Sequence, residues 1–262
     1  MQTEKVTNHI VKWLTDYATK AGVQGFVIGI SGGIDSAVTS TLCAKTGLKV
    51  KCLEMPIHQG VQQVNRAQEH IKQLKKRYPL VSSDQIELTP VFEAFKSQVP
   101  SEPSKTVDLS LANTRARLRM TTLYYFAGIH GLLVCGTGNK VEDFGVGFFT
   151  KYGDGGVDLS PIADLMKSDV YKIGEHLKVP TSILEAAPTD GLFGDSRTDE
   201  DQIGASYDEL EWAMLMQAQG NTSSDFGGRT KRVMEIYEQR HRANLHKMVP
   251  IPVCEIPKEL MM

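Results

Sequence analysis

The residues with most chemical potential form one run, Ser31-Gly32-Gly33-Ile34-Asp35-Ser36, set between an apolar stretch (Phe26 to Ile30) and a helical pattern. Two adjacent glycines permit unusual backbone angles and let an anion approach the main chain. Successive N–H groups and the start of the following helix then offer partial positive charge to a phosphate. Ser31 and Ser36 add hydroxyl donors. Asp35 would repel a bare phosphate, so its presence fits a Mg²⁺ ion that the phosphates also bind. The run lacks the GK[ST] ending of a Walker loop and the GxGxxG spacing of a dinucleotide fingerprint. The plain alternative is a capped strand–helix turn in which Asp35 is a helix-start acid.

A second cluster, Gly136-Thr137-Gly138-Asn139-Lys140-Val141-Glu142, follows another apolar stretch, Leu132 to Cys135. In a parallel sheet the two loops would lie side by side, and Glu142 would offer the same metal a second carboxylate. A solvated acid at a helix start is its alternative reading. The run from Phe149 to Leu159 then mixes glycines with Lys151, Tyr152, Asp154 and Asp158, a density that an ordinary loop does not need. Its glycines let the backbone wrap a ligand while the charged groups reach it.

These loops need elements to position them. Val6, Ile10, Trp13, Leu14 and Tyr17 repeat at helical spacing, with Thr3 as N-cap and Gly22 as stop. Strands are expected at Phe26 to Ile30, at Leu48 to Met55, at Ile86 to Leu88 and at Leu132 to Cys135. Helices are expected over 36–46, around Val61 to Leu74, over 109–129, from a Ser168 cap to about Leu177, after Pro180, over Tyr207 to Gln217 and over Thr230 to Arg242. Pro100 to Lys105 reads as a loop. Gly191 to Gly204 and Gly220 to Gly228 read as mobile closing segments. Strands alternating with helices imply one α/β domain, a doubly wound parallel sheet with helices on both faces, whose ligands bind at the carboxyl ends of its strands.

The chain has 262 residues, enough for one sizeable core, and 29 basic against 31 acidic residues. That balance gives no electrostatic case for nucleic acid as a partner. No apolar run reaches the roughly 20 residues of a membrane span, and the polar start is no signal peptide. Cys43, Cys52, Cys135 and Cys254 lack CxxC or zinc-finger spacing, so all four are expected as buried reduced thiols. A cytoplasmic protein is expected.

The SGGxDS run resembles the pyrophosphate loop of the ATP-pyrophosphatase (adenine nucleotide alpha hydrolase-like) superfamily. Thr150-Lys151-Tyr152-Gly153-Asp154-Gly155-Gly156, with Asp158-Leu159 following, resembles the signature of ammonia-dependent NAD⁺ synthetases. Supporting pieces occur in the family's order: Ala116-Arg117, Gly136-Thr137, Leu165-Met166-Lys167, Pro188-Thr189, Ile203-Gly204 with Ser206-Tyr207-Asp208-Glu209-Leu210, and His246-Lys247. The resemblance covers about residues 5 to 250; the chain departs from it by a slightly longer stretch between Glu142 and Thr150.

It implies that Gly29, Ile30, Ser31, Gly32, Gly33, Ile34, Asp35 and Ser36 cradle ATP, with Thr137, Lys167 and Thr189 as further ATP contacts. It implies Mg²⁺ on Asp35 and Glu142, and deamido-NAD⁺ on Arg117, Lys151, Asp158, His246 and Lys247. Asp154 and Lys167 are the implied catalytic residues, Asp154 beside the incoming ammonia. The implied activity is a ligase reaction of NAD biosynthesis: ATP-dependent amidation of deamido-NAD⁺ through an adenylated carboxylate, in a homodimer without a glutaminase domain. On the residues alone, Arg117 or His246 can equally be a surface group, and Lys167 a surface cation. A tRNA-sulfurating or tRNA-modifying member of the superfamily would want reactive paired cysteines or a basic surface. A non-catalytic ATP-binding module would not need Glu142, Lys151 and Asp154 beyond the loop.

Overall fold

The structure, a computed structural model, describes residues 1–100, 104–189 and 198–261. Four parallel strands make one sheet: β1 (Gly25–Gly29), β2 (Lys49–Glu54), β3 (Val81–Gln85) and β4 (Leu133–Val134), in the order β3-β2-β1-β4. The order reverses between β1 and β4, so the loops after these two neighbouring strands open a crevice at their carboxyl ends. Phe26 and Ile28 of β1 face one apolar layer and Val27 the other, the period-two alternation of a strand buried on both sides.

The first layer joins α1 (Thr3–Ala21), α2 (Ile34–Lys45), α3 (Val61–Arg77) and α6 (Lys167–His176) through Leu14, Val38, Leu74 and Ile173. The second joins α4 (Thr89–Gln98) and α5 (Lys105–His130) through Phe92 and Ala127. A third apolar cluster lies apart from the sheet. It packs a π-helical turn (Val141–Val146) against α8 (Asp199–Ile203), α9 (Tyr207–Ala218) and α10 (Gly228–Met248). The short α7 (Thr181–Leu184) starts behind Pro180, as expected.

Several expectations are corrected. The third strand lies at Val81–Gln85, not at Ile86 to Leu88. It is a polar edge strand, and pairing continues past it as Ile86 N donates to Glu54 O and Leu88 N to Pro56 O. The N-cap of α1 is Gln2 rather than Thr3, although Gly22 ends that helix in the left-handed conformation (φ 68°). Ser168 does not cap α6, which starts at Lys167; its N–H and hydroxyl instead donate to Glu211 at 2.8 Å. Cys43, Cys52 and Cys135 are buried, but Cys254 is exposed.

On α5, Leu111, Leu118, Leu123 and Phe126 pack against the second layer, whereas Tyr125 points outward with Leu109 and Ile129. Of Gly191 to Gly204, residues 191–197 lie outside the described residues, and the rest is not an open loop but α8 (Asp199–Ile203) ended by Gly204. Gly220 to Gly228 contains a 3-10 turn (Ser223–Asp225) tied down where Ser223 N and Oγ donate to Glu238. No helix among the described residues is long and apolar enough to cross a membrane.

Candidate active site

The phosphate loop sits between β1 and α2, at the crevice. Gly32 takes φ 82°, and a Cβ there would lie 2.5 Å from Gln63 O, so glycine meets both a backbone and a space requirement. Gly33 occupies the N-cap position of α2 without any side-chain cap, which leaves the first N–H groups of α2 to an incoming anion. The two serines close on the loop itself: Ser36 Oγ donates to Gly33 O at 3.0 Å, and Gly33 N donates to Ser31 Oγ at 3.2 Å.

Beside the loop lies a buried ion cluster. The Lys167 ammonium is 2.6 Å from Asp35 Oδ2 and 2.9 Å from Glu142 Oε1, and the lysine is only 3% exposed. Asn139, from the loop after β4, donates through Nδ2 to Asp35 Oδ1 at 3.0 Å. Its Oδ1 accepts from the N–H groups of Val141 and Glu142, fixing the start of the π-helical turn. That turn delivers Glu142 and Asp143 in succession to the cleft.

Burial raises the Asp35 carboxyl above its ordinary range, against the pull of Lys167. For Glu142 burial acts the same way, but the Lys167 charge and the donated hydrogen bonds outweigh it and the net direction is down. Lys167 is desolvated too, yet two facing carboxylates hold its pKa above the usual lysine value. Tyr207 donates its phenol proton toward Glu142 Oε1 at 2.6 Å, and burial, then the nearby carboxylates, push its pKa up, so the phenol stays protonated.

Asp154 opens onto the same cleft and is reached by solvent. Desolvation by the recessed walls raises its pKa to about 6, although Thr150 N donates to its Oδ1 at 2.9 Å. The raised value places its titration close to neutral pH, where a proton acceptor is useful. Burial also lifts Asp143 well above the ordinary carboxyl range, helped by the charges of Glu142 and Asp154. A Cβ at Gly138 would come within 2.0 Å of Asp143 Oδ2, so any other residue there would have to displace that carboxyl group.

The cleft holds about 270 Å³ of water-accessible space. Its lining contains Gly29 through Ser36, Thr137, Glu142, Asp154, Lys167 and Thr189. The five remaining expected residues fall outside that lining. Arg117 donates through Nε and Nη2 to Lys151 O at 3.3 Å, and Lys151 Nζ donates to His246 O at 2.8 Å. Lys247 Nζ donates to Gly147 O and Phe149 O. Asp158 accepts from Val134 N at 2.8 Å and from Tyr124 OH at 3.0 Å, so it pins the end of β4. Arg117, Lys151 and His246 are thus linked in a string through backbone carbonyls outside the cleft lining, while Lys247 separately holds the carbonyls of Gly147 and Phe149.

The sequence alone assigns no role to Asn139, Arg119 or Tyr207, and does not single out Asp143 or Asp199. Arg119 lines the cleft and donates to Met55 O at 3.0 Å and Gln59 Oε1 at 2.9 Å. Only Asn139 carried a local signal, an Asx residue directly before a helical turn.

A family model described as NAD synthase matches residues 6–250. The NH(3)-dependent NAD(+) synthetase of Carboxydothermus hydrogenoformans is 37% identical over 87% of this chain and 92% of that protein. Among solved structures, NMN synthetase from Francisella tularensis superposes with a TM-score of 0.86 at 33% identity, covering 98% of this chain and 100% of that one. The NH3-dependent NAD synthetase from Campylobacter jejuni gives 0.78 at 25% identity over 97% and 100%. With a parallel sheet, an uncapped phosphate loop and a family match over nearly its whole length, this chain belongs to the NAD synthase family.

Proposed function

We propose that this protein is a ligase that uses ATP to join ammonia to the carboxylate of deamido-NAD⁺, forming NAD⁺, AMP and pyrophosphate. The observation that carries this reading is one cleft lined by an open helix start, two carboxylates on one ammonium, and a carboxyl group with a pKa of about 6.

A carboxylate is a poor electrophile toward ammonia. Attack of its oxygen on the α-phosphorus of ATP forms a mixed anhydride and releases pyrophosphate. The N–H groups at the start of α2 and the Lys167 ammonium stabilise the charge that grows on this leaving group. Residues Gly29 to Ser36, Thr137, Lys167 and Thr189 hold the nucleotide. Ammonia then attacks the activated carbonyl, AMP departs, and Asp154 accepts the proton lost from nitrogen.

Asp35 and Glu142 fit Mg²⁺ by their chemistry: both present hard oxygen ligands, and both already turn toward one cation, the Lys167 nitrogen. Bound there, Mg²⁺ would supply neutralisation of phosphate charge. Arg117, Lys151 and Lys247 offer the pyridine nucleotide positive charge outside the cleft, His246 lies beside them, and Asp158 holds the adjoining strand. We assign the same protein a cytoplasmic location and a homodimeric state, with outward-facing Leu109, Tyr125 and Ile129 of α5 as the contact.

One observation favours a second acceptor. The TM-score of 0.86 belongs to a structure named for NMN synthesis, against 0.78 for the one named for NAD synthesis. In that reading the amidated carboxylate belongs to nicotinic acid mononucleotide, and any of Arg117, Lys151, His246 and Lys247 that would have met the second nucleotide half has no ligand partner.

The test supplies ATP, Mg²⁺ and an ammonium salt with either acceptor and reads pyrophosphate and the amidated product. A higher kcat/KM with deamido-NAD⁺, and no turnover when glutamine replaces ammonium, is expected. A preference for the mononucleotide selects the second acceptor. Pyrophosphate release that ignores both acceptors overturns the proposal.

A further inference from the structure

Tyr207 has no part in the chemistry above, yet it touches two of the charged groups at the heart of the cleft. Its phenol oxygen lies 2.6 Å from Glu142 Oε1 and 3.1 Å from Asp199 Oδ2. Its ring lies beneath the Lys167 ammonium, 4.7 Å from nitrogen to centroid. Lys167 donates to the same Oε1, so one oxygen of Glu142 takes both donors. A phenol has a single proton and can give it to one carboxylate at a time. The shorter contact is the one to Glu142.

The support behind Tyr207 is built to hold it still. It is the first residue of α9, behind a capping box in which Ser206 Oγ accepts from Glu209 N and Glu209 accepts from Ser206 N. Arg229 clamps Glu209 through two nitrogens at 2.6 Å, and Tyr207 N donates to Glu200 Oε1. One turn further along α9, Glu211 accepts from Ser168, the residue after Lys167. A single helix thus grips Glu142 through Tyr207 and the start of α6 through Glu211. The third apolar cluster, remote from the sheet, is what aligns the two sides of the ion cluster.

We infer that Tyr207 is a positioning residue that sets the orientation of Glu142 toward its cation, and that Asp199 competes with Glu142 for the phenol proton. The inference rests on the reading of Glu142 as a divalent-cation ligand. A donor that fixes a ligating carboxylate acts on metal affinity without touching either substrate.

Mn²⁺ titrated into the full-length protein in the presence of ATP, with free Mn²⁺ followed by electron paramagnetic resonance, reads this directly. Tyr207→Phe keeps the ring against Lys167 and removes only the donor. It is expected to weaken Mn²⁺ binding about 10-fold or more, to raise the half-saturating Mg²⁺ for turnover in parallel, and to leave KM for deamido-NAD⁺ unchanged. Asp199→Asn removes the competing carboxylate and is expected to leave Mn²⁺ binding as tight or tighter. Loss of thermal stability in Tyr207→Phe with parental Mn²⁺ affinity overturns the positioning role, and weakened Mn²⁺ binding in Asp199→Asn overturns the competition. Glu142→Gln separates the levels. Should it retain Mn²⁺ binding, the metal reading of Glu142 fails. Should it lose binding while Tyr207→Phe keeps it, only the role of Tyr207 fails.

Discussion

Lys167 and Lys151 lie in neighbouring parts of the molecule and are held in opposite ways. Lys167 is buried and meets two carboxylates, whereas Lys151 meets the carbonyl of His246 at the surface end of α10. The inner group is neutralised in advance, because an unpaired ion would be costly in a desolvated cleft. The outer cations donate to backbone carbonyls, and among the described residues none of Arg117, Lys151 and Lys247 forms a salt bridge, although Asp154 and Asp143 act on Lys247 through space. Their charge remains available to an anion. The comparison separates a buried cluster whose charges stabilise one another from a group of cations held by backbone carbonyls, which in the proposed function would be the centre of the reaction and a surface for ligand phosphate.

The largest effect should come from breaking the inner cluster. Lys167→Met leaves Asp35 and Glu142 facing each other without a cation. Removing one partner of a buried ion pair costs about 3–5 kcal/mol, so chemical denaturation should show a loss of that order together with absent pyrophosphate release. A variant with parental stability would mean that the three groups do not depend on one another.

Asp154→Asn should act on one step alone. Without the proton acceptor, amidation should slow by about 10²–10⁴ while adenylation continues, giving a burst of pyrophosphate with little NAD⁺ in rapid-quench experiments. The pH dependence has a defined sign. Desolvation favours the neutral acid, so the carboxylate form is lost as pH falls through about 6, higher than for an ordinary aspartate. With free ammonia held constant, the parent should lose amidation below that pH, and the Asn variant should lack this limb. A parallel fall of both products without a burst would move Asp154 to a binding role.

Lys151→Ala should have the smallest structural effect, within about 0.5 kcal/mol of the parent. Its KM for deamido-NAD⁺ should rise by about tenfold, equal to about 1.4 kcal/mol, with the difference shrinking as salt is added. Measured with nicotinic acid mononucleotide, the same variant sharpens the contrast. An equal loss with both acceptors would place Lys151 at their shared nicotinate half, and no loss with either would remove it from the ligand surface.

Much of the frame was legible because apolar spacing is local. The helical repeat from Val6 to Tyr17, the strand at Phe26 to Ile30 and the long α5 follow from side-chain period, and each falls within a few residues of its expected limits. The third strand was placed late because Val81–Gln85 is a polar edge strand, whereas Ile86 and Leu88 carry the apolar signal just beyond it. Helix α4 gave little signal because Phe92 is its only buried residue. Ser168 was read as a cap because Ser before a helical pattern is a common local rule; its actual partner, Glu211, is 43 residues away in sequence.

By itself, the sequence determined the sheet class, the glycine turn between β1 and α2 and the chemical types of the inner cluster, since glycine conformations and apolar periods are properties of neighbouring residues. Tertiary structure alone decided that Asp35, Glu142 and Lys167 share one cation, that Asp154 is shifted to about 6, and that Arg117, Lys151 and Lys247 lie outside the cleft. It also decided that Tyr207 stands behind Glu142. Asp35 and Lys167 are 132 positions apart, and Glu142 and Tyr207 are 65 apart. Coulomb energy and desolvation depend on distance through space and on what excludes water, and those quantities arise only when α2, α6 and α9 close around the same cleft.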